Sequence, residues 1–156
     1  MSAHRVFMAP IGSIVSWSDS TPRPSERHHR KLSAWKSNNS SGRLISRQDE
    51  RTIGGIILPV SFTVHEAEFG GGGVIAIRVH RTFSLESRLT FTIVARPALG
   101  SFRVFDRPGD NAELVHLAAD RQSAEEWLSR HGYPNAAFEE VTADEAAADV
   151  VEGRTA

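Results

Sequence analysis

The sequence of 156 residues contains no cysteine. Disulfides, zinc sites built on thiolates and cysteine nucleophiles are therefore excluded. Long apolar runs are also missing, since no stretch approaches the roughly 18 residues of a membrane-spanning helix. Asp19 and several serines interrupt residues 1–20, which hold no apolar run of signal-peptide length. These absences predict a soluble cytoplasmic protein with no membrane partner.

Carboxylates are scarce in the first two thirds of the chain, although the formal net charge is only −1. Residues 1–105 hold 14 Lys and Arg against 7 Asp and Glu, a net charge of +7. Residues 106–156 hold 4 against 12, a net charge of −8. Such a division is typical of a half that binds a polyanion, of two halves that attract each other, or of an acidic tail that promotes solubility.

Apolar and polar residues alternate from Ile53 to Phe105. A period of two places alternate side chains on one face of a strand, so the pattern predicts four strands of an antiparallel sheet with one buried face. The glycine run at 70–73 leads into an alternating stretch rather than a helix, which indicates a hairpin connection and not a phosphate-binding loop. The apolar positions are Ile56, Leu58, Val60, Phe62 and Val64; Ile75, Ile77, Val79 and Phe83; Leu89, Phe91, Ile93 and Ala95; and Phe102 and Val104.

A first helix is predicted for Ser25–Asn38, with Ser25 at its N-cap or in its first turn. Before it, the apolar stretch Val6–Val15 is broken by proline and glycine and suggests a short strand or two. After it, residues 37–51 are rich in serine, asparagine and charge, which predicts a polar linker. We therefore divide the chain into a basic N-terminal segment, residues 1–51, with one helix and a polar linker, and an α+β domain, residues 52–156, with an acidic C-terminal part.

A second helix is predicted for Arg121–His131, where Asp120 is a favourable N-cap and Gly132 a left-handed stop. Trp127 and Leu128 form its apolar stripe, which we expect to pack on the apolar face of the sheet.

Short strands are predicted on either side of this helix, at residues 113–117 and 136–141, and a short helix is predicted after Thr142. The fold class is therefore α+β: an antiparallel sheet of four to six strands with two or three short helices packed mainly on one face.

No motif predicts a metal, a cofactor or a catalytic nucleophile. His65 and Glu66 point to opposite faces of a strand, and the adjacent His28 and His29 diverge on a helix. Neither an H-E-x-x-H nor a G-x-S-x-G motif occurs. We therefore expect neither a metal site nor a cofactor.

The polar face of the predicted sheet is rich in threonine, histidine and arginine, and no carboxylate interrupts it. Arginine on such a face binds phosphate through charge-assisted hydrogen bonds. Aromatic residues that would stack bases are missing from this face, and no second helix follows the first at the spacing of a helix-turn-helix. The candidate polyanion-binding residues are Arg78, His80, Arg96 and Arg103 on the sheet, and Arg27, Arg30 and Lys31 on the first helix.

Three function classes follow from these patterns. The first is a small soluble non-enzymatic accessory protein that binds nucleic acid or another polyanion through the basic sheet face and helix. The second is a protein-interaction module or homo-oligomer that uses charge complementarity between its basic and acidic parts. The third, ranked last, is a small enzyme with a site near His116, His65 and the turn at residues 106–111.

Overall fold

The computed structural model describes residues 2–69 and 75–142, which form three helices and ten antiparallel strands. The helices are α1 (Ser2–Met8), α2 (His29–Asn38) and α3 (Arg121–Ser129). The strands are β1 (Ile14–Ser18), β2 (Ser40–Gln48), β3 (Arg51–Ile53), β4 (Ile56–Leu58), β5 (Ser61–Phe69), β6 (Ile75–Ser84), β7 (Thr90–Ala95), β8 (Phe102–Phe105), β9 (Leu114–Ala118) and β10 (Ala137–Glu140). The α+β class and the antiparallel sheet are confirmed.

The strands form a large sheet in the order β6-β5-β2-β1-β7, a small sheet in the order β10-β8-β9, and the separate hairpin β3–β4. One face of the large sheet carries the main core, in which the rings of Phe62, Phe83 and Phe91 contact one another at centroid distances of 5.2 to 5.8 Å. Helix α1 covers this face with Ala3 and Val6, which are buried in the same cluster. The period-two pattern therefore identified the buried positions Phe62, Val64, Phe83 and Phe91 correctly.

The polar linker predicted for residues 37–51 is wrong, because Ser40–Gln48 forms β2 in the middle of the large sheet. The register against β5 shifts between Leu44 and Ser46, so three consecutive residues, Leu44, Ile45 and Ser46, are all buried. A bulge of this kind removes the alternation by which a strand is recognised. The large sheet thus takes two of its five strands, β1 and β2, from residues 1–51. The division at residue 51 stays a prediction, which truncation tests.

The stretch predicted as one strand from Ile56 to Val64 divides at Pro59, which has no amide hydrogen for a ladder. The part before Pro59 forms β4, which pairs with β3 around Gly54 and Gly55. Both glycines have positive φ, +57° and +81°, as a tight two-residue hairpin turn requires.

The N-terminal stretch also differs from its prediction, since residues 2–8 form helix α1 and only residues 14–18 form a strand. Helix α2 begins at His29 rather than at Ser25, whose carbonyl oxygen accepts from the amide of His28 in a preceding turn. Ser25 is therefore neither an N-cap nor a first-turn residue.

Helix α3 begins as predicted, because Asp120 caps it by accepting from the Ser123 amide at 2.8 Å. The predicted left-handed stop at Gly132 is wrong, since the helix ends at Ser129, its C-cap Arg130 is right-handed and Gly132 has no positive φ. We predicted that helix α3 packs on the apolar face of the large sheet, and this is wrong. The helix packs on the small sheet, with Trp127 against a cluster that contains Val104. The strands predicted around it are confirmed as β9 and β10.

The predicted glycine-rich connection at residues 70–73 and the predicted helix after Thr142 lie outside the described residues. Among the described helices, none has the length and apolarity needed to cross a membrane.

Candidate functional site

The predicted polyanion-binding residues are divided between two sides of the large sheet. The side chain of Arg81 in β6 lies on the sheet face that carries Trp17 and Phe83. Its guanidinium donates to the Ser37 carbonyl oxygen of α2 and lies 5.6 Å from the centre of the Trp17 ring. His80, its neighbour in β6, points to the opposite face. The sheet itself therefore separates the basic helix from the predicted basic sheet face.

The sheet residues do not form one basic surface. Arg103 is only 2% exposed; its Nε donates to the Ile11 carbonyl oxygen at 2.7 Å, and its Nη1 lies 2.9 Å from Glu139 Oε1. The prediction of Arg103 as a solvent-facing ligand is corrected accordingly, because its guanidinium is used inside the fold. Arg96 is exposed just beyond the end of β7, and the side chain of Arg78 lies outside the described residues.

Helix α2 carries three exposed basic side chains, Arg30, Lys31 and Lys36, and Arg27 adds a fourth two residues before the helix begins. We call these four residues the basic helix surface. Among the described residues, no Asp or Glu forms an ion pair with any of them. The first turn of α2 contains no acidic residue, and no side chain caps its N-terminus. Positive charge thus accumulates at the positive end of a helix dipole, where an anion is favourable.

Helix α2 is held to the large sheet at its C-terminal end. The indole nitrogen of Trp17 donates to the Ser37 carbonyl oxygen at 2.9 Å, the same oxygen that Arg81 contacts. Leu32 is buried, and the indole nitrogen of Trp35 donates to the Thr21 carbonyl oxygen at 2.9 Å. These contacts fix the orientation of α2 while its basic residues face outward.

Two acidic residues lie between β1 and α2: Glu26 Oε1 is 4.0 Å from Arg23 Nη2, and Asp19 is held by hydrogen bonds. Asp19 Oδ1 accepts from the Thr21 hydroxyl at 2.6 Å and from the Asn39 side-chain amide at 3.0 Å. These hydrogen bonds, led by that from the Thr21 hydroxyl, lower the pKa of Asp19. Asn39 also donates to the Trp35 carbonyl oxygen at 2.8 Å, so this network ties the loop to the end of α2.

On the other face of the large sheet, a histidine cluster lies at the contact with the small sheet. His65 and His80 are cross-strand partners whose rings meet edge to face at 5.1 Å. His80 Nε2 lies 3.5 Å from Glu113 Oε1 at the start of β9. Arg43 pairs with His65 in the neighbouring ladder and donates to the Gly12 carbonyl oxygen at 2.7 Å. Both histidines were named from the sequence, whereas Glu113 and Arg43 were missed, because contacts between strands far apart in the chain leave no local signal.

His116 lies on the same side, between Arg43 and α3. Its ring stacks on Trp127 at 4.6 Å with an interplanar angle of 3°, and Trp127 also stacks with His131 at 3.8 Å. Burial lowers the pKa of His116, and the charges of His131 and Arg43 lower it further. The neutral imidazole is therefore favoured inside this stack.

A cleft of about 680 Å³ opens between α1 and the small sheet. The turn that precedes β9 contributes Arg107 and Asp110 to its wall, whereas neither His65 nor His116 lines it. The residues predicted for an enzyme site are thus not assembled around this cleft. In the described part of the chain, no three His, Asp or Glu side chains lie close enough to hold a metal ion.

Comparison with known proteins yields one relationship. A family model described as Uncharacterised conserved protein UCP036055 matches residues 1–145. No curated protein and no solved structure matches the chain.

Proposed function

The chain belongs to this family, and we propose that it is a non-enzymatic accessory protein that binds nucleic acid through the basic helix surface. The supporting observation is that Arg27, Arg30, Lys31 and Lys36 are exposed without an acidic partner among the described residues. Their mutual repulsion opposes the helix, whereas contact with phosphates relieves it. A cysteine-free composition fits a cytoplasmic location for this activity.

The proposal concerns the phosphate backbone rather than the bases. Trp35 is the aromatic residue of α2, and its indole nitrogen is already engaged with the Thr21 carbonyl oxygen. Arginine and lysine contacts with phosphate position a protein on nucleic acid without reading sequence. We therefore expect affinity that depends strongly on salt and little on sequence.

A salt series with fluorescence anisotropy tests this proposal on labelled duplex and single-stranded DNA and RNA. The variant Arg27→Gln, Arg30→Gln, Lys31→Gln removes three charges from the basic helix surface. For duplex DNA, the slope of log K against log salt should fall in magnitude by about 2.7, since each lost phosphate contact accounts for about 0.9.

The matched control is Arg107→Gln, Arg121→Gln, Arg130→Gln, which removes three exposed charges from the acidic half of the chain. It changes the net charge equally and should leave the slope nearly unchanged. Equal losses in the two variants would show that binding follows net charge alone. Absence of binding by the parent protein at low salt would refute the proposal.

A further inference from the structure

The hairpin formed by β3 and β4 exposes three isoleucines. Relative exposure is 56% for Ile53, 66% for Ile56 and 65% for Ile57. Ile53 pairs with Ile56, so both lie on one face, whereas Ile57 lies on the other. In the described part of the chain, β3 and β4 pair only with each other. An isolated two-stranded hairpin is marginally stable in water, and exposed isoleucines lie on both faces of this one, so a second layer should cover them.

The cleft described above has walls that match such a hairpin. Phe7, Met8 and Ile11 line one side, and Phe105 and Phe138 of the small sheet line the other. Met8 is 53% exposed within it. A volume of about 680 Å³ falls within the ~300–1,000 Å³ typical of binding cavities. The hairpin of the same chain does not fill the cleft, because its isoleucines are exposed.

The β3–β4 hairpin and the cleft also carry charges of opposite sign that can pair. Glu50 directly precedes β3, and Arg51 is the first residue of β3. The base of the hairpin therefore carries one charge of each sign. The cleft carries Arg107, Asp49 and Asp110, as well as Arg47 and Glu139, which bond to the Ala9 carbonyl oxygen and to Arg103 inside the fold. Arg51 can thus meet a carboxylate of the cleft while Glu50 meets Arg107. The acidic pair Asp49 and Glu50 would be repelled by anionic lipid, which disfavours a membrane as the occupant.

We propose that the β3–β4 hairpin of one copy of this chain inserts into the cleft of a second copy, and that the exchange is reciprocal. Every copy carries both the hairpin and the cleft, so a two-fold axis satisfies both contacts at once and closes the assembly as a dimer. Asp49 lies between the cleft and the hairpin base, since it lines the cleft and directly precedes the hairpin. The two contacts are therefore neighbours in one continuous interface.

Light scattering coupled to size exclusion, with sedimentation velocity over a concentration series, tests this proposal on the full chain. The hairpin variant Ile56→Asp, Ile57→Asp should raise the dimer dissociation constant by about ten-thousandfold, since each buried isoleucine contributes about tenfold and the reciprocal dimer loses four of them. The matched control is Val94→Asp, Leu99→Asp, because both residues are as exposed as the isoleucines and line neither feature. It should dimerise as the parent does.

A cleft variant, Met8→Lys with Ala137→Trp, distinguishes insertion from simple contact between two hairpins. It should lose dimerisation as the hairpin variant does, while circular dichroism of both stays that of the parent. An equimolar mixture of the two variants should form a heterodimer, because an intact hairpin and an intact cleft then meet once. Failure of the mixture to associate would refute the exchange.

Two further outcomes would overturn the proposal. One is a parent protein that stays monomeric across the concentration series. The other is a monomer that binds vesicles of phosphatidylcholine and phosphatidylserine through the isoleucines. Neither result bears on the basic helix surface, which lies on a different element of the chain, so this inference and the proposed function fail independently.

Discussion

Replacing Arg103 by methionine should destabilise the protein while leaving nucleic-acid binding intact. Arg103 is 2% exposed and connects three segments, since it extends from β8 to the Ile11 carbonyl oxygen and to Glu139 of β10. Methionine fills most of the space of the aliphatic stem but makes neither hydrogen bond. The substitution therefore isolates the contribution of the guanidinium.

The expected loss follows from these two bonds. A hydrogen bond to a charged group contributes about 1.5–3 kcal/mol, and a buried carbonyl left without its donor costs about 1–3 kcal/mol. These effects overlap at the half-buried Ile11 oxygen, so we expect a total loss of about 2–4 kcal/mol. Glu139 is 58% exposed in its side chain, so its ion pair is screened, and Glu139→Gln should cost less than about 1 kcal/mol.

Urea denaturation followed by tryptophan fluorescence measures both variants. With a slope of about 1–3 kcal/mol per molar urea, Arg103→Met should lower the midpoint by about 1–2 M, and Glu139→Gln by much less. Stability equal to that of the parent would show that the contacts of Arg103 with Ile11 and Glu139 contribute little to the fold. A stable Arg103→Met variant that lost nucleic-acid binding would restore the sequence-based prediction of Arg103 as a surface ligand.

Three other predictions follow from the packing and from the pKa of His116. Phe62→Ala removes a fully buried ring from the main core and should lower the free energy of unfolding by about 3–5 kcal/mol and Tm by about 10 °C. A Tm shift of a degree or two would contradict the placement of Phe62 in the core. Because the folded state lowers the pKa of His116 below its ordinary 6.5, the unfolded state binds more protons and stability should fall as pH drops below about 6.5. His116→Phe keeps the stack on Trp127 and should flatten that pH dependence in denaturation curves, whereas an unchanged profile would assign it to other groups. Removal of residues 1–51 deletes β1 and β2 from the middle of the large sheet and should leave an unfolded chain by circular dichroism, while a folded product would support the division at residue 51.

Local patterns were enough to predict much of the fold. Phe62 and Val64 of β5 and Phe91 of β7 alternate with polar residues, and all three are buried as the period of two requires. Asp120 caps α3 because a cap depends only on the three residues that follow it. Where the deciding interaction lies within a few residues, the sequence alone was sufficient.

The candidate site was predicted less completely, for a physical reason visible in β2 and β8. In β2, the register shift beside Leu44 erased the alternation, so a central strand resembled a linker. In β8, Arg103 alternates correctly with Val104, yet both are buried because β8 is covered on both faces. Alternation indicates that neighbouring side chains lie on opposite faces of a strand. It does not indicate which of the two faces is exposed to solvent.

The sequence by itself determined the class of the fold, the positions of β6 to β10 and α3, and the basic character of α2, because these depend on composition, alternation and caps within short stretches. The tertiary structure decided which charges remain available. It buried Arg103 against Ile11, placed Glu113 beside His80, and left the basic helix surface exposed on the other side of the sheet. It also left Ile53, Ile56 and Ile57 uncovered. These outcomes depend on contacts between segments far apart in the chain, and such contacts are set by how the layers pack.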